Sequence, residues 1–447
     1  MNEKVSSIIS GTFEIDLIEI ELRKGDTCIT GKGVIYQKNE ELHLKLFNDN
    51  PIDEECKIEE FVNSVNQPNK TKILREDDYY ILLGKDQEGN TYKSKAVVFY
   101  VATEIISGKL YSDLIKEKTD EWKSVTNTLE IYINDNNSIP LNDRKNTRAL
   151  FSKSEIQYSE TSEDAWFFNV PEKYKIQVQR NNRYQKILVR TECKVSEDEI
   201  NKLLDSLRFV FGRYFDWFYI NYNFGSKEKF HLRRSSNVNT IFVPPLKINN
   251  NYNVENYEKL FNCYYNYLSK SDEAAKNLNF HVRKTNIAGY SYLGAFELVL
   301  ATSMEGLLKI FKTETNTTKS KDDKTASDIR KVKKFLVEAF GKEENQVKNR
   351  VDGLLDNMQA ISPAGILNQL IASEIIDKKY KFKDLYKKFR NSLAHADLPN
   401  SDTIKRLSDL NKILALFYHL VFLQIGYNGQ FTNYFNDELE DFTHTIK

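Results

Sequence analysis

The sequence predicts an α+β protein, with a β-rich N-terminal region followed by an all-α helical bundle. Two observations lead to this prediction. Up to about residue 134, short apolar runs and alternating apolar and polar residues are separated by glycine-containing turns, which is typical of strands. From about residue 279 onward, apolar residues recur at helical spacing instead. We therefore expect a β-rich domain at residues 1–145, a mixed region at 146–275 and a helical bundle at 276–447.

The N-terminal region should consist mainly of strands. The exception is residues 103–118, where we expect a helix. The region holds no glycine-rich phosphate loop and no carboxylates at metal-binding spacing, so its residues alone indicate no chemistry. Strands are expected at residues 12–22, 34–47, 79–83, 96–101 and 128–133.

In the middle region, residues 174–191 predict a β-hairpin, and a capping box from Ser196 to Glu199 should open a helix. An aromatic run follows at residues 209–224, and it suits core packing better than the stacking of nucleic-acid bases. Alternate basic residues at 227–233 either line a phosphate track or face solvent on an edge strand. The edge strand is the simpler interpretation.

The helical region divides at its capping signals. Ser362 as N-cap and Pro363 at the first helical position should start one helix, and Pro399 should stop the basic helix that follows. A polar, low-complexity stretch at residues 312–327 is expected to be a loop. Helices are therefore expected at residues 256–269, 287–311, 328–340, 344–359, 363–376, 378–397 and 403–425.

The composition constrains the compartment and the partners. Lys plus Arg and Asp plus Glu balance at 64 each, so attraction to nucleic acid must come from a local cluster of charge. The four cysteines form no C-x-x-C pair, which argues against a zinc site and a disulfide framework. Residues 1–10 lack the pattern of a signal peptide, and the apolar run at 413–425 is too short for a membrane span. We therefore expect a cytoplasmic protein without membrane partners.

A local cluster of positive charge lies on the predicted basic helix at residues 378–397. Near its C-terminal end stand Arg390 and His395, separated by four residues, with the polar Asn391 directly after the arginine. On spacing alone, cations that complement the macrodipole at a helix C-terminus explain both residues. The same pair also suits cleavage of RNA, because an imidazole exchanges protons near neutral pH and a guanidinium binds phosphate oxygens as a fork.

Helix geometry constrains how this pair works. Five positions along a straight helix separate the two side chains by about 7.5 Å along the axis and by roughly 140° around it. They converge on one phosphate only if the helix bends or if a facing helix completes the site, most simply the helix of a second copy of the chain. The motif therefore predicts a bent helix end or a composite site.

The stretch R-N-S-L-A-H at residues 390–395, late on a basic helix in a helical C-terminal region, resembles the R-x4-6-H motif of HEPN domains. The layout of the whole chain, with G-T-F-E-I and T-C-I-T-G-K-G-V-I-Y near its start, is similar to that of ApeA-type proteins, which are HEPN effectors of abortive infection against phage. Many HEPN proteins are metal-independent endoribonucleases that act as dimers. The resemblance implies a HEPN-like bundle, an RNA substrate and a homodimer, with an N-terminal region that senses a phage-derived trigger or restrains the nuclease.

The resemblance also implies a role for each residue of the motif. His395 would act as general base or acid, Arg390 would bind the scissile phosphate, and Asn391 would orient one of the two. Attack by the neighbouring 2′-hydroxyl would leave a 2′,3′-cyclic phosphate without a metal or another cofactor. Glu297, on the first bundle helix, is the acidic residue expected to support the pair, as in some HEPN domains. The lysines expected to attract the RNA backbone are Lys383, Lys387 and Lys388.

Two non-enzymatic functions remain open. Some HEPN domains bind nucleotides or pair with a toxin or antitoxin without cutting RNA, and the basic helix would then be an interface for an acidic partner. Alternatively, the strands form a carbohydrate- or peptide-binding module, and the helices form an oligomerisation tail.

Overall fold

The computed structural model shows an α+β protein, as the sequence predicts, with a β-rich N-terminal region and a helical C-terminal region. The described residues form two compact units: unit 1 is Met1–Glu197 with Phe215–Asn239, and unit 2 is Asp198–Tyr214 with Thr240–Lys447. The three regions expected from the sequence are thus grouped as two, because the strands of the middle region belong to unit 1 and its helices to unit 2. The structure describes residues 3–443 except 39, 49–78, 102–104, 120–126, 136–138, 141–142, 145–150, 153–154, 157–163, 182–183, 194, 225–226, 234–243, 249–253, 290, 315–322, 341–348, 352–361, 395–402 and 437.

Unit 1 begins with one helix, α1 (Glu3–Ser10), and consists mainly of strands. The strands are β1 (Glu14–Lys24), β2 (Thr27–Lys38), β3 (Glu41–Asn48), β4 (Tyr80–Lys85), β5 (Thr91–Val101), β6 (Ile105–Leu110), β7 (Leu114–Thr119), β8 (Asn127–Ile133), β9 (Asp143–Arg144), β10 (Phe151–Ser152), β11 (Glu155–Ile156), β12 (Asp164–Val170), β13 (Tyr174–Arg180), β14 (Gln185–Thr191), β15 (Trp217–Phe224) and β16 (Lys227–Leu232).

Most of these strands form one antiparallel sheet, and part of the sheet closes on itself. Within the described residues, the order is β4-β1-β2-β3-β6-β5-β7-β16-β15-β8-β14-β13-β12-β9. Strand β4 also pairs with β5, so β1, β2, β3, β6, β5 and β4 form a closed ring. Leu42, Leu44 and Leu46 of β3 are buried while the residues between them are not, which is the alternation expected of a strand with one face in a core.

The helix predicted at residues 103–118 is wrong, because β6 and β7 occupy this stretch. In β6, Ile106 and Leu110 are buried and alternate with more exposed residues, so the strand period applies. Strand β6 pairs on one side with β3 and on the other with β5. Pairing with these two strands decides the conformation of residues 105–110. The local pattern of apolar residues carries no information about this pairing.

The predicted edge strand at residues 227–233 is also wrong. Strand β16 lies between β7 and β15 and hydrogen-bonds to both. Directly after it, Arg233 donates from Nε and Nη2 to the two carboxylate oxygens of Asp113, at 3.0 and 3.1 Å, and stacks on the ring of Trp217. This arginine is engaged within unit 1, which argues against a phosphate track on this strand.

Unit 2 is a helical bundle with a short C-terminal hairpin. A 3-10 turn at Lys378–Tyr380 precedes the basic helix. The helices are α2 (Glu197–Phe211), α3 (Glu255–Ser269), α4 (Glu273–Ala288), α5 (Leu293–Glu314), α6 (Asp323–Phe340), α7 (Pro363–Ala372), α8 (Phe382–Ala394) and α9 (Thr403–Ile425), and the hairpin strands are β17 (Gly429–Asn433) and β18 (Glu438–Phe442).

Several predicted helix boundaries are confirmed and others move. Helix α9 has the predicted bounds, and Ser362 caps α7 by accepting a hydrogen bond from the backbone of Gly365. The helix predicted at residues 287–311 starts only at Leu293, after α4 has ended. The basic helix starts at Phe382, because Lys381 before it has a left-handed backbone with φ +51°. Most of the helix predicted at 344–359, and residues 315–322 of the predicted loop, lie outside the described residues.

Helix α9 lies in the aromatic core of unit 2. Phe209 of α2 stacks on Tyr264 of α3 with ring centroids 4.4 Å apart and meets Tyr418 and Phe422 of α9 edge-on. The start of the aromatic run at residues 209–224 therefore serves core packing, as expected. In the described part of the chain, we find no helix with the length and apolar character needed to cross a membrane.

Replacing Gly212 by alanine should lower the free energy of unfolding of unit 2 by about 2–4 kcal/mol. Helix α2 ends here in a Schellman motif, in which Gly212 donates to Phe209 and Arg213 donates to Arg208, each at 3.1 Å. Gly212 has φ +62°, and a Cβ atom there would lie 2.2 Å from Cα of Pro244. Alanine therefore adds a backbone collision to an unfavourable conformation, and urea unfolding measures the loss.

Gly426→Ala is the matched control. Gly426 ends α9 in the same motif with φ +66°, but a Cβ atom there meets nothing within 4 Å. We expect a loss of about 1 kcal/mol, from the backbone conformation alone. Equal losses in the two variants would show that the approach to Pro244 does not matter.

Acid should destabilise unit 2 through His419. Its ring is buried among Tyr380, Phe382, Phe431 and Phe442, and burial lowers the pKa of His419 to about 3. In the unfolded chain a histidine has a pKa near 6.5, so between about pH 6.5 and pH 3 the unfolded state binds a proton that the native state does not. The free energy of unfolding should fall by about 1.4 kcal/mol per pH unit across this window.

The measurement compares urea unfolding of the wild type and of His419→Phe between pH 7 and pH 4. The variant should lose this part of the pH dependence and keep the part that comes from carboxylates. Parallel pH profiles for the two proteins would contradict the role of His419.

Candidate active site

Helix α8 carries the predicted motif and packs against α5, α7 and α9. Phe382 and Tyr386 are buried, each with 1% of its surface exposed, and they fix the inner face of the helix. The opposite side of the helix faces solvent and carries the basic residues. The apolar residues of α8 therefore decide which of its cations are available to a ligand.

Arg390 is exposed near the C-terminal end of α8 and is bound to a carboxylate of α5. Its Nε donates a hydrogen bond to Oε1 of Glu305 at 2.6 Å. The Arg390 side chain is 52% exposed, and that of Glu305 is 30% exposed. The hydrogen bond to Glu305 raises the pKa of Arg390, so the guanidinium stays charged.

This ion pair orients Arg390 more than it stabilises the fold. Pairs with this degree of exposure contribute only about 0–1 kcal/mol to stability. Within the described residues, Arg390 makes no hydrogen bond through Nη1 or Nη2. Glu305 thus holds one edge of the guanidinium, and the other edge keeps the paired donors that suit a phosphate.

Glu297, predicted to support the pair, lies elsewhere. Its carboxylate is buried and accepts a hydrogen bond from Nε of Arg406 at 2.7 Å and another from Nη2 of the same arginine. It therefore joins α5 to α9, whereas the contact with Arg390 comes from Glu305, eight positions and about 12 Å further along α5. Both glutamates lie on the helix that the sequence predicts. Which of them faces α8 depends on the rotation of α5 about its own axis, which the sequence does not reveal.

The three lysines predicted to attract RNA are all exposed. Lys383 and Lys387 have no carboxylate partner in the part of the chain that the structure describes. Nζ of Lys388 lies 3.4 Å from Oδ2 of Asp409, an exposed contact that water and salt weaken. With Arg390, these side chains form a basic surface along α8.

Of the other two motif residues, one lies within α8 and the other follows it. Asn391 lies in α8, but its side chain is outside the described part of the structure. His395 directly follows Ala394, the last residue of α8, and lies outside the described residues. The distance from Arg390 to His395, the bend of the helix end and the composite site therefore stay predictions.

Tyr386 is a residue that the sequence did not single out. It lies one helical turn before Arg390, and its buried hydroxyl has no hydrogen-bond partner among the described residues. Burial raises the pKa of Tyr386 to about 12, so the hydroxyl stays protonated. Buried polar groups without partners are uncommon, which makes this one notable beside a candidate site.

Replacing Tyr386 by phenylalanine should leave the free energy of unfolding unchanged or raise it by about 1 kcal/mol, because the buried hydroxyl gains nothing from the fold. Tyr264→Phe is the matched control. The Tyr264 hydroxyl donates to Oδ1 of Asn279 at 3.1 Å, so its loss should lower the free energy of unfolding by about 1 kcal/mol. Equal losses in urea unfolding would mean that Tyr386 has a partner.

Comparison of the chain with protein-family models, curated proteins and solved structures gives no match. Among the described residues, no group of three or more His, Cys, Asp or Glu side chains is arranged to hold a metal ion. The candidate functional residues are therefore those of α8, which carries Arg390 and Asn391, and Glu305 of α5.

Proposed function

We propose that this protein is a cytoplasmic, metal-independent endoribonuclease of the HEPN type, which acts as a homodimer and as an effector of abortive infection against phage. The observation that carries the proposal is the half-exposed Arg390, which Glu305 holds through Nε while its outer edge stays unbonded within the described residues. A guanidinium in this state suits bidentate binding of a phosphate. His395, five positions later, supplies the group that exchanges protons.

The reaction needs only the substrate's own 2′-hydroxyl as nucleophile. A neutral His395 takes the proton of that hydroxyl, whose oxygen then attacks the adjacent phosphorus. The bond from phosphorus to the 5′-oxygen breaks, and the leaving oxygen receives a proton from an imidazolium, either of the same His395 or of its copy in the second subunit. The products are a 2′,3′-cyclic phosphate and a 5′-hydroxyl.

Arg390 stabilises the charge that builds on the phosphate oxygens during this attack. Asn391 orients Arg390 or His395 through a hydrogen bond. Arg390 and two lysines without a carboxylate partner in the described residues share the solvent side of α8. RNA binding should therefore weaken as salt rises. For a single strand, each phosphate contact should make the slope of log K against log salt concentration more negative by about 0.7.

Unit 1 is proposed to recognise the phage-derived trigger or to restrain the nuclease until the trigger arrives. This part rests on the resemblance to ApeA-type proteins. Its strands offer no catalytic motif of their own, which agrees with a role in recognition.

The test mixes purified protein with total RNA in the presence of EDTA and compares the wild type with His395→Ala. The wild type should cut the RNA and the variant should not, while His43→Ala, a histidine of unit 1, should cut normally. Cleavage that requires magnesium, or that survives the loss of His395, would contradict the mechanism. Intact RNA together with a co-purifying partner would instead favour a non-catalytic HEPN-type binding module.

A further inference from the structure

A second concave site lies in unit 2, apart from Arg390. It is a pocket of about 360 Å³ between the 3-10 turn at Lys378–Tyr380, the middle of α9 and the C-terminal hairpin. Pockets of this size accept small molecules. Its walls combine aromatic rings from Tyr380, Phe431 and Phe442 with charged side chains around the mouth.

The inner wall of the pocket is aromatic and uncharged. The His419 ring lies 4.9 Å from that of Phe431, 5.1 Å from that of Phe442 and 5.2 Å from that of Tyr380, measured between centroids. His419 is 3% exposed, and burial lowers its pKa to about 3, so it carries no charge near neutral pH. Its Nε2 is buried without a hydrogen-bond partner among the described residues. Most buried polar atoms in protein interiors have such a partner.

The mouth of the pocket is acidic. Three carboxylates line it, those of Glu374, Asp377 and Asp441, against two ammonium groups. One of these, Lys379, is already bound to Glu440 at 3.1 Å and lies 3.7 Å from Oδ2 of Asp377. Its Nζ also lies over the ring of Tyr380, 4.6 Å from the centroid, so the rings left for a ligand cation are those of Phe431 and Phe442. Glu374 and Asp441 are exposed and have no cationic partner in the described residues.

The backbone at the edge of the pocket is strained. Glu374 has φ +60°, and Lys381, just beyond the 3-10 turn, has φ +51°. Non-glycine residues in this conformation persist where the surrounding structure holds them, and such residues concentrate at ligand sites. The segment between them presents Asp377 and Tyr380 to the pocket.

We propose that this pocket binds a small organic cation with an alkylated ammonium head group. Aromatic faces attract such cations, and recognition of quaternary ammonium groups by aromatic rings is an established mode of binding. The carboxylates of Glu374 and Asp441, which have no cationic partner in the described residues, attract a positively charged ligand over a longer range. An anion is disfavoured, because the carboxylates outnumber the ammonium groups and Lys379 is occupied by Glu440.

The test is calorimetric titration of the full chain with choline and with 3,3-dimethylbutan-1-ol, which has the same shape and no charge. Choline should bind with a Kd of about 1 mM or lower, and the alcohol at least about tenfold more weakly. Asp441→Asn should weaken choline binding severalfold, whereas Asp384→Asn, an exposed carboxylate on α8, should not change it.

Phe442→Leu separates the aromatic wall from the charged mouth. It keeps an apolar side chain and removes the ring, so choline binding should weaken while the protein stays folded by circular dichroism. If Phe442→Leu unfolds, Phe431→Leu replaces it in the same titration, because the ring of Tyr380 already carries the ammonium group of Lys379. Equal binding of choline and the alcohol, no effect of Asp441→Asn, or no binding of choline at about 10 mM would overturn the proposal.

Discussion

Replacing Arg390 by alanine should lower the rate of RNA cleavage by about 100- to 1,000-fold, the usual effect of removing one group that stabilises charge in a transition state. Arg390→Lys should recover only part of this loss, because an ammonium keeps the charge and loses the paired donors. The free energy of unfolding should change by less than about 1 kcal/mol, since the Arg390 side chain is 52% exposed. Single-turnover cleavage of an RNA oligonucleotide and urea unfolding measure the two effects.

Arg330→Ala is the matched control, because it removes an exposed arginine from another helix, α6. It should cleave RNA at the wild-type rate. The double variant of Arg390 and His395 should be no slower than the slower single variant, because two groups that act in one step are not additive. Independent, multiplicative effects would show that the two residues do not act as a unit.

Replacing Phe422 by alanine should lower the free energy of unfolding of unit 2 by about 3–5 kcal/mol. Phe422 of α9 is fully buried. Its ring meets Phe209 of α2, Tyr427 after α9 and Phe442 of the C-terminal hairpin, with centroids 6.5, 5.0 and 5.2 Å away. Alanine would therefore leave a cavity where three elements meet, and urea unfolding measures its cost.

The same substitution at Phe335 is the control, because this ring of α6 is 65% exposed. Phe335→Ala should change the free energy of unfolding by about 0.5 kcal/mol or less. If both variants lose equally little, Phe422 does not lie in the core of a packed bundle. That result would also remove the support that positions α8.

Features with a local cause were predictable from the sequence. The bounds of α9 follow from a long apolar run after Pro399, and the start of α7 follows from Ser362 and Pro363. Features that depend on distant partners were not predictable. Residues 105–110 form a strand because β3 and β5 flank them, and β16 is central because β7 pairs with its outer side.

The candidate site shows the same division. Arg390 was identified because its motif is local and its helix is basic. Glu305 was missed because it lies 85 residues earlier, and its contact depends on how α5 is rotated against α8. Glu297 was an equally reasonable choice until the structure joined it to Arg406. Nothing in the sequence indicated the Tyr386 hydroxyl, because its burial without a partner among the described residues depends on how the bundle packs.

The central claim is that Arg390 and His395 act together on an RNA phosphodiester through its neighbouring 2′-hydroxyl. It is tested most directly with a DNA oligonucleotide that contains one ribonucleotide, incubated with the wild type in EDTA and analysed by mass spectrometry. We predict a single cut directly 3′ of the ribose and a 2′,3′-cyclic phosphate on the upstream product. In the time that the wild type needs to cut the oligonucleotide completely, neither Arg390→Ala nor His395→Ala should give a detectable cut. A cut between deoxyribonucleotides, a 3′-hydroxyl product, or a cut that needs magnesium would contradict the claim.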